Sequence, residues 1–196
     1  MKWTKEDRNR LLDFKNNVDS DDIRIKEIIK KVLLNNKYII HVLNNKELEE
    51  LDSEPDDYFN VNILPYYMVT PTQTNVQNFL CYTVSYKDLN RNNSTQKYLQ
   101  ITFVILCEQK NSIDKETGIA RHDLLAALIQ DQFNFTNYFG RKIQLFEDTE
   151  SIVDSSYSCR TLIFEQITDN NLVKTKNGVS RLINKDIVTL SGEDNN

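Results

Sequence analysis

The feature that most restricts the fold is the recurrence of apolar residues at every second position in two runs, 80–86 and 99–107. The first run alternates through Leu80, Tyr82, Val84 and Tyr86. The second run alternates through Leu99, Ile101, Phe103, Ile105 and Cys107. Side chains two residues apart lie on the same face of a β-strand, so each run predicts a strand with one buried face. The polar stretch 88–95 between them predicts an antiparallel hairpin with a long exposed loop.

Two other segments have the spacing of amphipathic helices. The first carries Ile25, Ile28, Ile29, Val32 and Leu33 on one face. Oxygen-bearing residues at 19–22 precede it and suit a helix N-terminus. The second segment, about 119–132, carries Leu124, Leu125, Leu128, Ile129 and Phe133. These two patterns predict the two main helices, and a short helix over 38–43 is expected to follow the first.

Three further strands are predicted from shorter apolar patterns. Residues 59–63 alternate until Pro65 stops the strand, and residues 142–147 form a second candidate. In the third, over 159–167, three consecutive apolar residues, Leu162, Ile163 and Phe164, predict burial on both faces at the centre of the sheet. The acidic stretch 44–58 is predicted to be an irregular surface loop.

The ends of the chain differ from this core. Residues 1–19 are charged and predict an N-terminal arm or a short helix, whereas residues 20–168 predict a single α/β core domain. Residues 169–196 predict a hairpin and tail, because Asn177-Gly178 joins two β-prone runs. The predicted fold class is α+β, a mostly antiparallel sheet flanked by two main helices, with a C-terminal β-hairpin extension.

Charge and composition limit the kinds of partner and environment that are expected for this chain. The formal net charge is −5 and no basic stripe is present, so sequence-specific nucleic-acid binding is not expected. No apolar run approaches the roughly 18 residues of a membrane helix, and the polar N-terminus does not resemble a signal peptide. Cys81, Cys107 and Cys159 each lie in an apolar run, which predicts buried thiols in a reducing cytoplasm.

The sequence offers little chemistry. No glycine-rich phosphate loop and no Gly-x-Ser-x-Gly elbow is present. His122 with Cys107 is the one base and nucleophile pair to consider; the favoured interpretation is a surface or capping histidine and a buried thiol. His41 is expected to be half-buried, and Asp148 and Glu150 are expected to be loop acids. The sequence therefore predicts a protein that is not an enzyme, with no catalytic, cofactor or metal residues.

The order of elements resembles that of the tail-terminator, or tail-completion, proteins of long-tailed bacteriophages, over about residues 20–168. The resemblance is carried by four stretches of sequence. They are Asn62-Ile63-Leu64-Pro65-Tyr66-Tyr67, Tyr98-Leu99-Gln100-Ile101-Thr102-Phe103-Val104-Ile105-Leu106-Cys107, Gly118-Ile119-Ala120-Arg121-His122-Asp123-Leu124-Leu125 and Cys159-Arg160-Thr161-Leu162-Ile163-Phe164-Glu165. The predicted C-terminal hairpin is a departure from the compact members of that family.

The resemblance implies a structural virion protein, assembled in the host cytoplasm. Subunits of that family form a ring, typically a hexamer, which terminates the tail tube and joins it to the head connector. The family has no catalytic residues. Two alternatives stay open: another neck component, such as a connector or stopper ring, and a cytosolic ligand-binding or regulatory module.

Candidate subunit-interface residues are taken from segments that are exposed or poorly self-supporting. An isolated hairpin is only marginally stable in water, so the C-terminal hairpin is expected to pack on its own subunit or on a neighbour. The candidates are Leu89, Asn90 and Arg91 in the hairpin loop, and Leu172, Val173, Val179 and Leu182 in the C-terminal hairpin.

Overall fold

A computed structural model describes residues 4–16, 21–67, 78–88, 96–152 and 157–169. The helices are α1 (Lys5–Asn16), α2 (Asp21–Leu34), α3 (Lys37–Leu43), α4 (Lys46–Glu50) and α5 (Arg121–Phe133), with 3-10 turns at Pro55–Tyr58 and Gln109–Asn111. The strands are β1 (Ile63–Leu64), β2 (Phe79–Asp88), β3 (Gln96–Glu108), β4 (Gln144–Ile152) and β5 (Tyr157–Asp169). The chain thus has the predicted α+β fold.

The five strands form one sheet in the order β1-β2-β3-β5-β4. All pairs are antiparallel except β1 with β2. The predicted hairpin is confirmed, since Tyr82 lies opposite Phe103 and Val84 lies opposite Ile101. The central strand is β3, whereas β5, predicted to be central, lies between β3 and β4.

One face of the sheet carries the main core. Both predicted helical stripes pack there, through Ile29 and Leu33 of α2 and Ile129 and Phe133 of α5, and all four side chains are fully buried. The opposite face has a second, smaller buried cluster. Its members are Leu64, Phe79, Cys81, Val104, Leu106, Tyr157 and Cys159. Burial on both faces explains the continuous apolar run that the sequence shows in β3.

The predicted strand over 59–63 is wrong. Only Ile63 and Leu64 pair with β2, and Asn60 has a left-handed backbone with φ 64°. The reason is Asn62, which is buried rather than solvent-facing: it accepts a hydrogen bond from the Asn45 side chain (2.7 Å) and donates to the carbonyl of Asn78 (2.9 Å). These bonds hold a turn in place, so the alternation of apolar residues there is not a strand.

Several predicted element boundaries also differ from those in the structure. The predicted loop over 44–58 contains α4, whose N-terminus is capped by the Asn45 side chain. α5 begins at Arg121 rather than 119, because Ala120 forms a bridge with Ile113. In the N-terminal segment, for which an arm or a short helix was predicted, the structure has α1. The C-terminal hairpin lies outside the described residues, as does most of the 88–95 loop.

Candidate assembly surface

Strand β4 is the most exposed part of the sheet. Its sequence, Gln-Leu-Phe-Glu-Asp-Thr-Glu-Ser-Ile, has one partly buried residue, Leu145, and the other eight are exposed. Among the described strands β4 contacts only β5, so its other side forms an outer edge of the sheet. The backbone amides and carbonyls of such an edge can accept another strand.

The first part of this outer edge is already covered by the chain itself. The amide of Leu145 donates to the side chain of Asn134 (3.0 Å), and Ile143 exchanges backbone hydrogen bonds with Phe135 and Thr136. A bulge between Leu145 and Glu147 then shifts the register of β4. Beyond the bulge, no described residue pairs with the outer side of residues 147–152. We call these six residues the open edge.

Large apolar side chains flank the open edge. Phe146, at the bulge, is 66% exposed, and Ile152, at the far end, is 75% exposed. A surface groove of about 370 Å³ adjoins Phe146, and Leu145 and Ile167 contribute to its lining. Exposed aromatic and aliphatic groups beside unpaired backbone are typical of an interaction surface and are costly to leave in water.

A group of charged and polar side chains holds β4 in place from the helix side. We call it the edge polar cluster; it consists of His122, Asp123, Asp148, Glu150, Ser158 and Arg160. Arg160 of β5 makes two hydrogen bonds to Asp148 of β4 (2.8 and 2.9 Å) and also pairs with Asp123 of α5. The paired carboxylates raise the pKa of Arg160 above its usual value, with Asp148 the main cause. Arg160 therefore fixes an otherwise exposed strand to both the sheet and α5.

Asp148 and Glu150 were predicted to be loop acids, which is wrong. Both lie in β4, opposite Leu162 and Arg160 of β5. The strand runs to Ile152 rather than ending near 147, because a cross-strand ion pair stabilises a stretch that has few apolar residues. The sequence does contain Arg160, whose ion pair extends the strand, but it does not show which acidic residue pairs with Arg160.

The two histidines also differ from expectation. The side chain of His41, predicted to be half-buried, is 57% exposed, whereas that of His122, predicted to be a surface or capping residue, is 9% exposed. His122 Nε2 lies 3.3 Å from Glu150 Oε1, and Nδ1 lies 3.4 Å from the hydroxyl of Ser158. The imidazole is buried because α5 begins directly over the ends of β4 and β5.

Ser158 lies between His122 and Cys107. Its hydroxyl donates a hydrogen bond to the Cys107 carbonyl (3.2 Å). The Cys107 side chain is fully buried, as predicted, and burial raises its thiol pKa to about 12. A thiol with that pKa is protonated at neutral pH and is a poor nucleophile. In the described part of the chain, no three His, Cys, Asp or Glu side chains are grouped as metal ligands.

All seven predicted interface residues lie outside the described residues. These are Leu89, Asn90, Arg91, Leu172, Val173, Val179 and Leu182. The sequence prediction missed Phe146 and Ile152, which the structure exposes at the two ends of the open edge. The sequence contains one indication of this exposure. Phe146 directly follows Leu145, and only one of two neighbouring strand residues can face the core.

The fold and this surface define an α+β subunit with an exposed sheet edge that no other described strand pairs. The YomW family model matches residues 36–166, two thirds of the chain, so the chain belongs to the YomW family. The family is named after a protein of SPbeta-type phages, which indicates a phage origin. Comparison with curated proteins found no match. None of the described helices has the length and apolar character needed to span a membrane.

Proposed function

We propose that this chain is a structural virion protein that forms a ring at the head–tail junction of a long-tailed phage, terminates the tail tube and joins it to the head connector. The observation that carries the proposal is the open edge of β4, flanked by Phe146 and Ile152. A subunit that works through contacts with other subunits needs such a surface and needs no reactive groups. The phage origin of the family and the order of elements described above support the same role.

The ion pairs that anchor the exposed strand and the start of α5 also support an assembly role. Arg160 and the buried Arg121–Asp114 pair fix β4 and the start of α5 to the rest of the fold. A ring requires each copy to present its two contact surfaces at a constant angle, because a small angular error prevents closure. The edge polar cluster holds the exposed strand β4 in the same position in each copy.

A different neck component, such as a connector or stopper ring, would use the same edge, and its position in the particle would distinguish it. The ligand-binding alternative has less support from the structure. A groove of about 610 Å³ lies between α2, α3 and α5, and its lining combines apolar residues such as Val32 and Leu128 with polar ones such as Asp131. Ligand sites are usually concave and bury most of the ligand, whereas this groove is open to solvent.

Deleting the coding sequence from the phage tests the proposed role. We expect heads and tails to be produced but not joined, and tails to lack a defined end, because nothing caps the last layer of the tube. Electron micrographs of lysates provide the measurement, and supplying the chain in trans should restore complete particles. Joined, infectious particles in its absence would contradict the proposal.

A further inference from the structure

We propose that the open edge of β4 is paired, in the assembled protein, by the basic C-terminal segment 172–185 of a second copy of this chain. The inference rests on the proposed function, because it specifies how neighbouring subunits join. Residues 147–152 form the acceptor surface, and segment 172–185 of the neighbouring copy is its single occupant.

The acceptor strand has acidic residues in its middle and an exposed apolar residue, Phe146 or Ile152, at each end. Glu147, Asp148 and Glu150 are the charged residues of β4, and the strand contains no lysine or arginine. In register with β5, Asp148 and Glu150 lie on the helix side, whereas Glu147 lies on the opposite face. Any strand that pairs with the open edge therefore meets negative charge on both of its faces.

This charge excludes the simplest symmetric contact, in which β4 pairs with β4 of another copy. Antiparallel pairing of two such strands would place acidic residues opposite or diagonal to acidic residues. Like charges at those positions destabilise a sheet, and charged edge strands are a common protection against edge-to-edge pairing. The open edge thus favours a partner strand of positive charge.

The C-terminal segment has the matching composition. Residues 172–185 contain four basic side chains, Lys174, Lys176, Arg181 and Lys185, and no acidic one. Apolar residues flank the basic ones, as Phe146 and Ile152 flank the acids of the open edge. The segment contains the strand-favouring residues Val173, Thr175, Val179 and Ile183, two on each side of the Asn177-Gly178 turn signal. It lies outside the described residues, which end at Asp169.

The first part of the segment, residues 172–176, cannot reach most of the open edge of its own copy. Asp169 pairs with Gln96 of β3, whereas Glu147 lies opposite Ile163, six residues back along β5. That separation is about 20 Å along the strand at roughly 3.3 Å per residue, and crossing β4 adds two strand spacings of about 5 Å each. The three residue steps from Asp169 to Leu172 span at most about 11 Å. A strand over 172–176 would therefore fall short of most of the open edge of its own subunit.

Pairing between copies avoids this limit and has a structural consequence. The donor segment and the acceptor edge are different parts of the chain, so each copy can donate to one neighbour and accept from another, which is a heterologous contact. Heterologous contacts generate closed rings when the rotation between copies closes. The inferred strand addition would then satisfy the open backbone groups of β4 and cover Phe146 and Ile152.

A charge exchange in the full-length chain tests the inference. One variant carries Glu147→Lys and Glu150→Lys, a second carries Lys174→Glu and Lys176→Glu, and a third carries all four changes. We expect each double variant to raise the apparent dissociation constant of self-assembly about ten-fold or more, because it opposes like charges. The quadruple variant should recover most of the loss. Circular dichroism and thermal unfolding establish that each variant is folded.

Cysteine cross-linking reports the pairing directly. Two differently tagged chains, one with Thr149→Cys and one with Thr175→Cys, are mixed and oxidised; the natural cysteines are buried and stay unreactive. We expect a mixed covalent dimer of twice the 23.0 kDa chain mass. In the matched control, Lys115→Cys, on the exposed loop before α5, replaces Thr149→Cys and should give no mixed dimer.

The outcomes separate this inference from the proposed function. If the natural protein self-assembles but both double variants assemble equally well, or the quadruple variant fails to recover, strand addition by 172–185 is wrong and the assembly role stands. A further variant carries both Thr149→Cys and Thr175→Cys; a cross-link that forms only within this single chain, with no mixed dimer between the separate variants, also overturns the inference. If the natural protein remains a monomer at every concentration and in the particle, the proposed function fails as well.

Discussion

Replacing Phe103 by alanine is expected to lower the free energy of unfolding by about 3–5 kcal/mol. Phe103 is fully buried at the middle of the central strand, and its ring contacts those of Tyr82, Phe133 and Phe164 at centroid distances of 6.3, 5.0 and 5.8 Å. The substitution removes the side chain that joins β2, β5 and α5. These neighbours belong to three separate elements, so they cannot all move inward to fill the cavity.

Chemical denaturation of the natural protein and the Phe103→Ala variant provides the measurement. Phe146→Ala is a matched control, because it removes the same ring from a strand position that is 66% exposed. We expect Phe146→Ala to change the free energy of unfolding by no more than about 0.5 kcal/mol. A loss for Phe103→Ala as small as that of the control would show that the aromatic group is not the centre of the core.

Replacing Asp114 by asparagine is expected to cost about 3–5 kcal/mol at neutral pH, the usual effect of breaking a buried ion pair. The side chains of Asp114 and Arg121 are only 4% and 6% exposed, and Arg121 Nη2 lies 3.1 Å from Asp114 Oδ1. Arg121 also donates to the carbonyl of Val42 (3.1 Å), which ties α3 to the start of α5. Without the carboxylate, a buried guanidinium charge loses its counter-ion.

The effect of Asp114→Asn should depend on pH. Hydrogen bonds from the hydroxyl and amide of Thr117, together with the charge of Arg121, lower the pKa of Asp114 below its ordinary 3.8. The ionised form is therefore more stable in the folded protein. Its contribution is fully present above the ordinary pKa of an unfolded aspartate and is lost as the pH falls through the folded value.

Denaturation curves at pH 7 and near pH 3 test this prediction. The difference between the natural protein and Asp114→Asn should shrink at the lower pH, which lies below the ordinary pKa of an unfolded aspartate, because unfolding then takes up a proton and part of the contribution of the carboxylate is lost. Glu116→Gln, on the same loop and with a side chain 78% exposed, should have an effect of no more than about 0.5 kcal/mol at neutral pH. An equal loss at both pH values would contradict an electrostatic role for Asp114.

The sequence predicted the parts of this fold that depend on periodic burial. The alternation through Leu80 and Tyr82, and through Ile101 and Phe103, predicted the β2–β3 hairpin because each strand has one face in the main core. The stripe of Leu125, Ile129 and Phe133 predicted α5 for the same reason. Such patterns are local, so a single sequence is enough to show them.

The sequence failed where long-range polar contacts decide the structure. Asn62 looked like an outward-facing strand residue, but it is buried by hydrogen bonds to Asn45 and to the carbonyl of Asn78. The second half of β4 looked like a loop, because Arg160, which stabilises it through Asp148, lies on a different strand. Neither partner can be identified from spacing along the chain.

The candidate site was missed for a related reason. An exposed strand edge depends on which strand is outermost, and strand order is a property of the whole sheet. The sequence prediction placed the interface in segments 88–95 and 172–183, which lie largely outside the described residues. The prediction for Leu172, Val173, Val179 and Leu182 stays open, and cross-linking through Thr175→Cys tests the segment that contains them.

The central claim is that this protein acts by joining to other subunits through the outer edge of its sheet. A cryo-electron microscopy map of the phage neck measures this most directly. We predict several copies of the five-stranded sheet around the tail axis, each with residues 147–152 covered by a neighbouring chain. A particle that lacks the chain, or copies in which β4 and Phe146 face solvent, would contradict the claim.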